Sequence, residues 1–258
     1  MNAHNMNACN REGRPLRRSP GRWLVLPGAW LAAGVAALSG CATILPLLPE
    51  SPAVATDGWS ANAVRANFAH TLAPSFHAVN GVVFTYRGRT MTALGVTDAD
   101  RATNSFNATC LTPSGLTIFD VGMNDGIVTT RFVVAEFNQF GDVGRAVGAD
   151  IWRVHFDCLP DTHASVANTG RELRFTSFRD SGALVHVFAG ADRLLVRKYW
   201  CDVSGHIVWD VRYADYRAVG EYRFPFWVRL TNYQYDYTLD VRAKQIGPPA
   251  VRVGERNG

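Results

Sequence analysis

The feature that most constrains this chain is a two-residue alternation over its C-terminal part. Ile207, Trp209, Val211 and Tyr213 alternate with Val208, Asp210 and Arg212. Tyr233, Tyr235, Tyr237, Leu239 and Val241 alternate with Gln234, Asp236, Thr238, Asp240 and Arg242. Successive strand side chains point to opposite faces, so both segments read as strands with one apolar and one polar face. A sheet of such strands buries one face and leaves the other in water. Further strands are expected at residues 81–86, 90–96, 105–111, 116–121, 127–134, 172–178, 183–189, 194–203 and 222–231, about eleven in all with the two above. Turn signals separate them: Arg87-Gly88, Pro113-Ser114-Gly115, Asn124-Asp125-Gly126, Asp180-Ser181-Gly182 and Ser204-Gly205.

Two stretches have helical spacing instead. Ala61, Val64, Phe68 and Leu72 share one face, with Ser60 before them and Pro74 as the stop. Val143, Val147, Ile151 and Val154 form a second face, with Asp142 placed to cap the first turn and Pro160 to end the segment. An antiparallel sheet this large must curl or expose its edges, and its apolar concave face needs a cover. The expected class is therefore α+β: a curled, unclosed antiparallel sheet covered by two or three helices.

The first forty residues are of another kind. Arg11, Arg14, Arg17, Arg18 and Arg22 face only Glu12, which accounts for the whole formal charge of +4. An apolar run of about 15 residues follows, Trp23 to Ala37, short of the ~20 that span a bilayer. This is the layout of an export signal, and translation starting at Met6 would preserve it. Arg17-Arg18 lacks the apolar follow-up of a twin-arginine signal. With the leader removed, the remaining chain is neutral and its arginines are interleaved with acids, which argues against a nucleic-acid partner.

Leu38-Ser39-Gly40-Cys41 closely resembles the lipobox of bacterial lipoproteins. The resemblance implies cleavage between Gly40 and Cys41 and diacylation of the Cys41 thiol. Two or more acyl chains give stable anchoring, at ~0.8 kcal/mol per buried CH₂. Ala42, rather than an acidic residue, follows, which implies the inner leaflet of an outer membrane, facing the periplasm. The expected organisation is a leader over 1–40, a lipidated Pro/Ala-rich tether over 41–58, a folded body over 59–246 and a disordered tail over 247–258. Export also makes one disulfide among Cys110, Cys158 and Cys201 plausible, and the sequence leaves all three pairings open.

The body has its own resemblance. Val211-Arg212-Tyr213-Ala214-Asp215-Tyr216, then Phe224-Pro225-Phe226-Trp227-Val228-Arg229-Leu230, then a last strand, resemble the ending of the LolA/LolB fold. That family, of periplasmic lipoprotein carriers and outer-membrane receptors, is an unclosed barrel that binds acyl groups. The resemblance implies an apolar inner face, to which Phe84, Phe106, Ile118, Phe132, Trp209, Tyr213 and Phe226 are assigned as ligand-lining residues. The receptor branch carries an exposed apolar residue on a hairpin loop. Asn124-Asp125-Gly126 has none, and Leu116 is the weaker substitute.

No catalytic motif is present: no GxSxG, HExxH, P-loop or GxGxxG. Ser204-Gly205-His206 reads as a hairpin turn. His155, Cys158, Asp161 and His163 have metal-like types, but they straddle a helix end and Pro160 without a second ligand pair. The expectation is a non-enzymatic protein with no metal or cofactor, whose partners are a membrane through its anchor, a lipid or acylated ligand, and an envelope protein. The alternative is a structural or protein-interaction lipoprotein of the outer membrane with a filled core.

Overall fold

The computed structural model describes residues 47–49 and 51–249. The leader, Gly40, Cys41 and the last residues of the tail lie outside them. Helix α1 (Ala61–Thr71) is capped by Ser60, whose hydroxyl accepts from the Ala63 N–H, and it ends before Pro74. Five strands then form a meander: β1 (Ser75–Tyr86), β2 (Arg89–Asp100), β3 (Ser105–Leu111), β4 (Thr117–Asn124) and β5 (Ile127–Val133). A 3₁₀ turn (Ala135–Phe140) leads into α2 (Val143–His155), where Asp142 accepts from the Arg145 N–H at 3.0 Å. Seven strands follow: β6 (Ser165–Asn168), β7 (Glu172–Arg179), β8 (Gly182–Ala189), β9 (Leu194–Asp202), β10 (Ile207–Val219), β11 (Tyr222–Asn232) and β12 (Tyr237–Gly247).

All twelve strands form one antiparallel sheet in the order β5-β4-β3-β2-β1-β12-β11-β10-β9-β8-β7-β6. The two meanders join where β12 pairs with β1, with Phe84 opposite Leu239. β5 and β6 are left as edges, so the barrel is unclosed. Register shifts at Val79/Asn80, Cys110/Leu111, Asp120/Val121, Val187/Phe188 and Ile207/Trp209 insert extra residues. Each such bulge bends its strand and sharpens the local twist, which lets so wide a sheet curl. The strand not foreseen from sequence is β6, four residues of Ser-Val-Ala-Asn with no strong pattern.

The helices cover the concave face. Under α1, Val64 and Phe68 pack with Leu173, Phe188, Leu195, Val211, Val228 and Leu230. Under α2, Val147, Ile151 and Trp152 pack with Phe76, Phe106, Val121 and Met123. Burying side chains of this size stabilises by about 1.5–3 kcal/mol each. α2 buries Gly144, Gly148, Asp150 and Val154, with Val147 and Ile151 of the expected face packed against the core beside them, and its glycines let it lie directly on β5. A Cβ on Gly148 would come within 2.7 Å of the Val128 side chain.

The body also begins earlier than residue 59. Thr56 is fully buried, its N–H donates to the Gly170 carbonyl at 3.1 Å, and its carbonyl accepts from Asn168 at 3.2 Å. The segment before Trp59 is thus docked on the β6–β7 turn.

Candidate functional site

The concave face holds a cleft between α1, the C-terminal end of α2 and strands β1 and β10–β12. Phe68, Leu72, Phe76, Tyr213, Phe224 and Val228 supply its apolar wall, and Asn80, Arg101, His155 and Arg223 its polar groups. Its volume is about 40 Å³. A buried water needs at least ~10–15 Å³ measured the same way, so the closed cleft holds a few waters and no acyl chain.

The two helices covering this cleft are fastened very differently. The C-terminal end of α2 is held by buried side chains. Lys198 Nζ donates to the Phe156 carbonyl at 2.8 Å and the Asp157 carbonyl at 3.2 Å. Arg101 Nε donates to the His155 carbonyl at 2.9 Å, and Tyr213 Oη to the Val154 carbonyl at 3.0 Å. Tyr237 Oη donates to Asp150 at 2.5 Å, inside the helix. These donors satisfy last-turn carbonyls that the helix itself leaves open, and their cations suit the negative end of its dipole. Among the described residues, α1 has one side-chain hydrogen bond to the rest of the body, Arg65 Nη1 to the Asp161 carbonyl at 3.5 Å. Apolar packing otherwise holds it: Val64 and Phe68 are buried, Ala61 and Leu72 pack beside them, and Phe68 lies edge-on to Phe188 at 5.2 Å.

Burial sets the protonation of the groups near α2. Desolvation lowers the Lys198 ammonium, which the nearby Cys158 and Asp157 partly offset. Desolvation and the Lys198 charge push His186 down to about 4. His186 Nε2 lies 2.9 Å from the Asp157 carbonyl, which only accepts, so Nε2 carries the proton. Its Nδ1 is buried with no partner among the described residues. His155, on the cleft wall, is pushed down to about 3 by desolvation and by Arg101 and Lys198. Burial likewise raises Tyr213 and Tyr216, which keeps both as neutral donors.

The residues assigned to ligand lining are scattered by the fold. Tyr213 lines the cleft. Phe106 and Ile118 are buried in the core under the first meander, away from the cleft lining, and Trp209 and Phe226 are half-buried against the core. Phe84 packs beside Tyr237 at 5.5 Å. Phe132 is a correction: it is 45% exposed. The register shift between Asp120 and Val121 places Phe132 opposite Asp120, on the solvent face, because one inserted residue reverses the inside–outside alternation.

The cysteines also differ from expectation. Cys110 and Cys158 are free, buried thiols, so no disulfide joins two of the three candidates. Cys110 packs with Ala93 and Ile118 under the 3₁₀ turn, whereas Cys158 lies beside Lys198 in the other half of the core. Burial raises the Cys110 thiol to about 11. Cys201 is not a free thiol. His155, Cys158, Asp161 and His163 are not brought together: Asp161 is exposed and pairs with Arg179 at 3.6 Å. Asn124-Asp125-Gly126 closes the β4–β5 hairpin with positive φ at Asp125 and Gly126. The residue after it, Ile127, is 70% exposed, and Leu116 is 69% exposed.

Lys198 carries the helix fastening, yet nothing in its sequence surroundings marks it. It stands between Arg197 and Tyr199 on a strand whose register shifts near Leu195, so its face could not be assigned by alternation.

No family model and no curated protein matches the sequence. Solved structures do resemble the fold. A LolA superfamily protein from Nitrosomonas europaea is 7% identical over 75% of this chain and 95% of its own, with a TM-score of 0.47. A DUF1329 family protein from Desulfovibrio piger is 11% identical over 76% of this chain and 94% of its own, with a TM-score of 0.48.

Proposed function

We propose that this chain is a lipid-anchored protein of the bacterial envelope that binds an acyl chain or another amphiphile in the concave cleft, with α1 as the moving cover. The unequal fastening of the helices carries this reading. α2 is held by Lys198, Arg101, Tyr213 and Tyr237, while α1 rests on apolar packing, Val64 and Phe68 with Ala61 and Leu72 beside them, and one long hydrogen bond. Hydrophobic contact is non-directional, so α1 can exchange its contacts for those of an acyl chain without leaving polar groups unpaired. α2 would leave several carbonyls unpaired if it moved. Displacing Val64 and Phe68 opens the cleft onto Leu195, Tyr213 and Val228, and Arg101 and Arg223 stand at its wall to meet an anionic head. Uptake is driven at ~25 cal/mol per Å² of apolar surface buried and needs no covalent chemistry.

Amide exchange with and without the neutral dye N-phenylnaphthylamine tests this. Saturable binding should alter exchange in α1 and leave the end of α2 protected. Unchanged thermal stability across a panel of lipids, with α1 exchange unaffected, would sink the reading. One observation favours the second reading, a filled-core interaction protein: the resting cleft measures only about 40 Å³.

A further inference from the structure

The opposite face of the sheet carries a larger depression, of about 700 Å³, over β12, β1, β2 and β3. Its floor is one row of the ladder: Arg242 faces Gly81, Gly81 faces Leu94, and Leu94 faces Leu111. The next row is Asp240, Val83 and Thr92. Both rows lie on the face turned away from the helices, shared by Trp227 and Arg229. The depression exists because Gly81 has no side chain between Arg242 and Leu94. Its far end, beyond Leu111, is closed by Pro113.

Charge is distributed along this groove, not around it. Val83, Leu94, Leu111 and Pro113 make one end apolar, and Arg242 and Lys244 stand at the other. The nearby acid is already committed. Asp240 is buried and accepts from Arg229 Nε at 2.9 Å and Trp227 Nε1 at 3.0 Å. Arg242 reaches it only at 3.6 Å and spreads its guanidinium over the Trp227 ring, 3.9 Å away. Lys244 is exposed and has no carboxylate partner among the described residues. Crossing from β12 to β3 takes three strand spacings, roughly 14 Å at about 4.8 Å each.

We propose that this outer groove binds a fatty acid, with its chain across Leu94 and Leu111 and its carboxylate between Arg242 and Lys244. An apolar floor with convergent polar groups at one end is the ordinary anatomy of a small-molecule site, and about 700 Å³ lies within the usual ~300–1,000 Å³. Asp240 is satisfied by Arg229 and Trp227, so Lys244 and the loosely paired, half-exposed Arg242 can meet an outside anion. The site is separate from the cleft beneath α1.

Photolabelling the full chain with a diazirine-bearing palmitic acid, followed by peptide mapping, tests it. Adducts are expected on β2 and β3. Lys244→Glu should weaken the carboxylate by about ten- to a hundredfold and leave the corresponding fatty alcohol unchanged, since a charge-assisted contact contributes ~1.5–3 kcal/mol. Gly81→Leu should fill the groove and abolish labelling there by both. A Cβ at Gly81 meets only Lys244 Cε at 3.4 Å and the Arg242 carbonyl at 3.9 Å, so that variant has room to fold. Adducts confined to α1 and β10 would overturn this site and leave the cleft reading standing. Adducts confined to β2 and β3 would do the reverse. Equal affinity for acid and alcohol, unchanged by Lys244→Glu, would overturn the proposal even if Gly81→Leu fails to fold.

Discussion

Lys198 Nζ donates to the Phe156 carbonyl across 2.8 Å, closing the C-terminal end of α2 with a side chain that has no exposure to solvent. Lys198→Met removes the donor and strands the Phe156 and Asp157 carbonyls, each costing about 1–3 kcal/mol. Urea unfolding should show a loss of about 2 kcal/mol or more, while Lys244→Met on the surface changes stability by less than ~0.5 kcal/mol. A neutral or stabilising Lys198→Met would mean that burying the ammonium costs more than its hydrogen bonds return.

His186 links that fastening to pH. It is neutral in the folded state, at about 4, against ~6.5 in an unfolded chain. The unfolded chain therefore takes up the proton first as pH falls. Stability from this group is complete above ~6.5 and declines from there down to about 4, approaching ~1.4 kcal/mol per pH unit. His155, on the cleft wall, shifts in the same direction and adds to the same slope. Denaturant melts between pH 4 and 7.5 should show this slope, reduced in His186→Gln. A slope identical in the variant would exclude His186 as its source.

Asp240 is 2% exposed and holds Arg229 and Trp227, whereas Arg242 is half in solvent. Asp240→Ala should cost about 3–5 kcal/mol, because it removes the buried carboxylate that accepts from both Arg229 and Trp227. Arg242→Ala should cost under ~1 kcal/mol in the same assay, as exposed pairs do. Similar losses for the two would show that burial does not rank these pairs.

In a solvent-exposed helix, glycine to alanine gains about 1 kcal/mol. Gly148→Ala should instead lose about 1–3 kcal/mol, since its Cβ would meet both methyls of Val128 within 2.8 Å. Adding Val128→Ala removes those methyls and should restore part of the loss. A thermal melt that rises for Gly148→Ala alone would show that α2 does not sit this closely on β5.

Cys41→Ser should abolish acyl labelling and membrane retention if Leu38-Ser39-Gly40-Cys41 directs lipidation. Continued acyl labelling of the variant would show that the anchor lies elsewhere.

Much of the fold was legible in the sequence. Helix α1 starts after Ser60 and α2 after Asp142, as their spacing and caps indicated, because capping chemistry is local. Alternation, β-branched and aromatic runs and turn signals together located eleven of the twelve strands. They missed β6, whose four residues are defined by pairing with β7 and not by their own pattern. Alternation failed at Phe132 for a related reason: counting by twos crosses a bulge unnoticed, and only the partner strand shows where the extra residue sits.

By itself, then, the sequence determined the local elements, the one-sided sheet and the separate, basic composition of the first forty residues. Periodicity, turns and charge runs act between near neighbours in the chain. Tertiary structure alone decided which surfaces face one another: that Lys198 is buried beneath the end of α2, that α1 has almost no polar ties, and that Gly81 leaves a groove between Arg242 and Leu94. Each depends on residues tens to more than a hundred positions apart, or on a register that neither strand specifies alone.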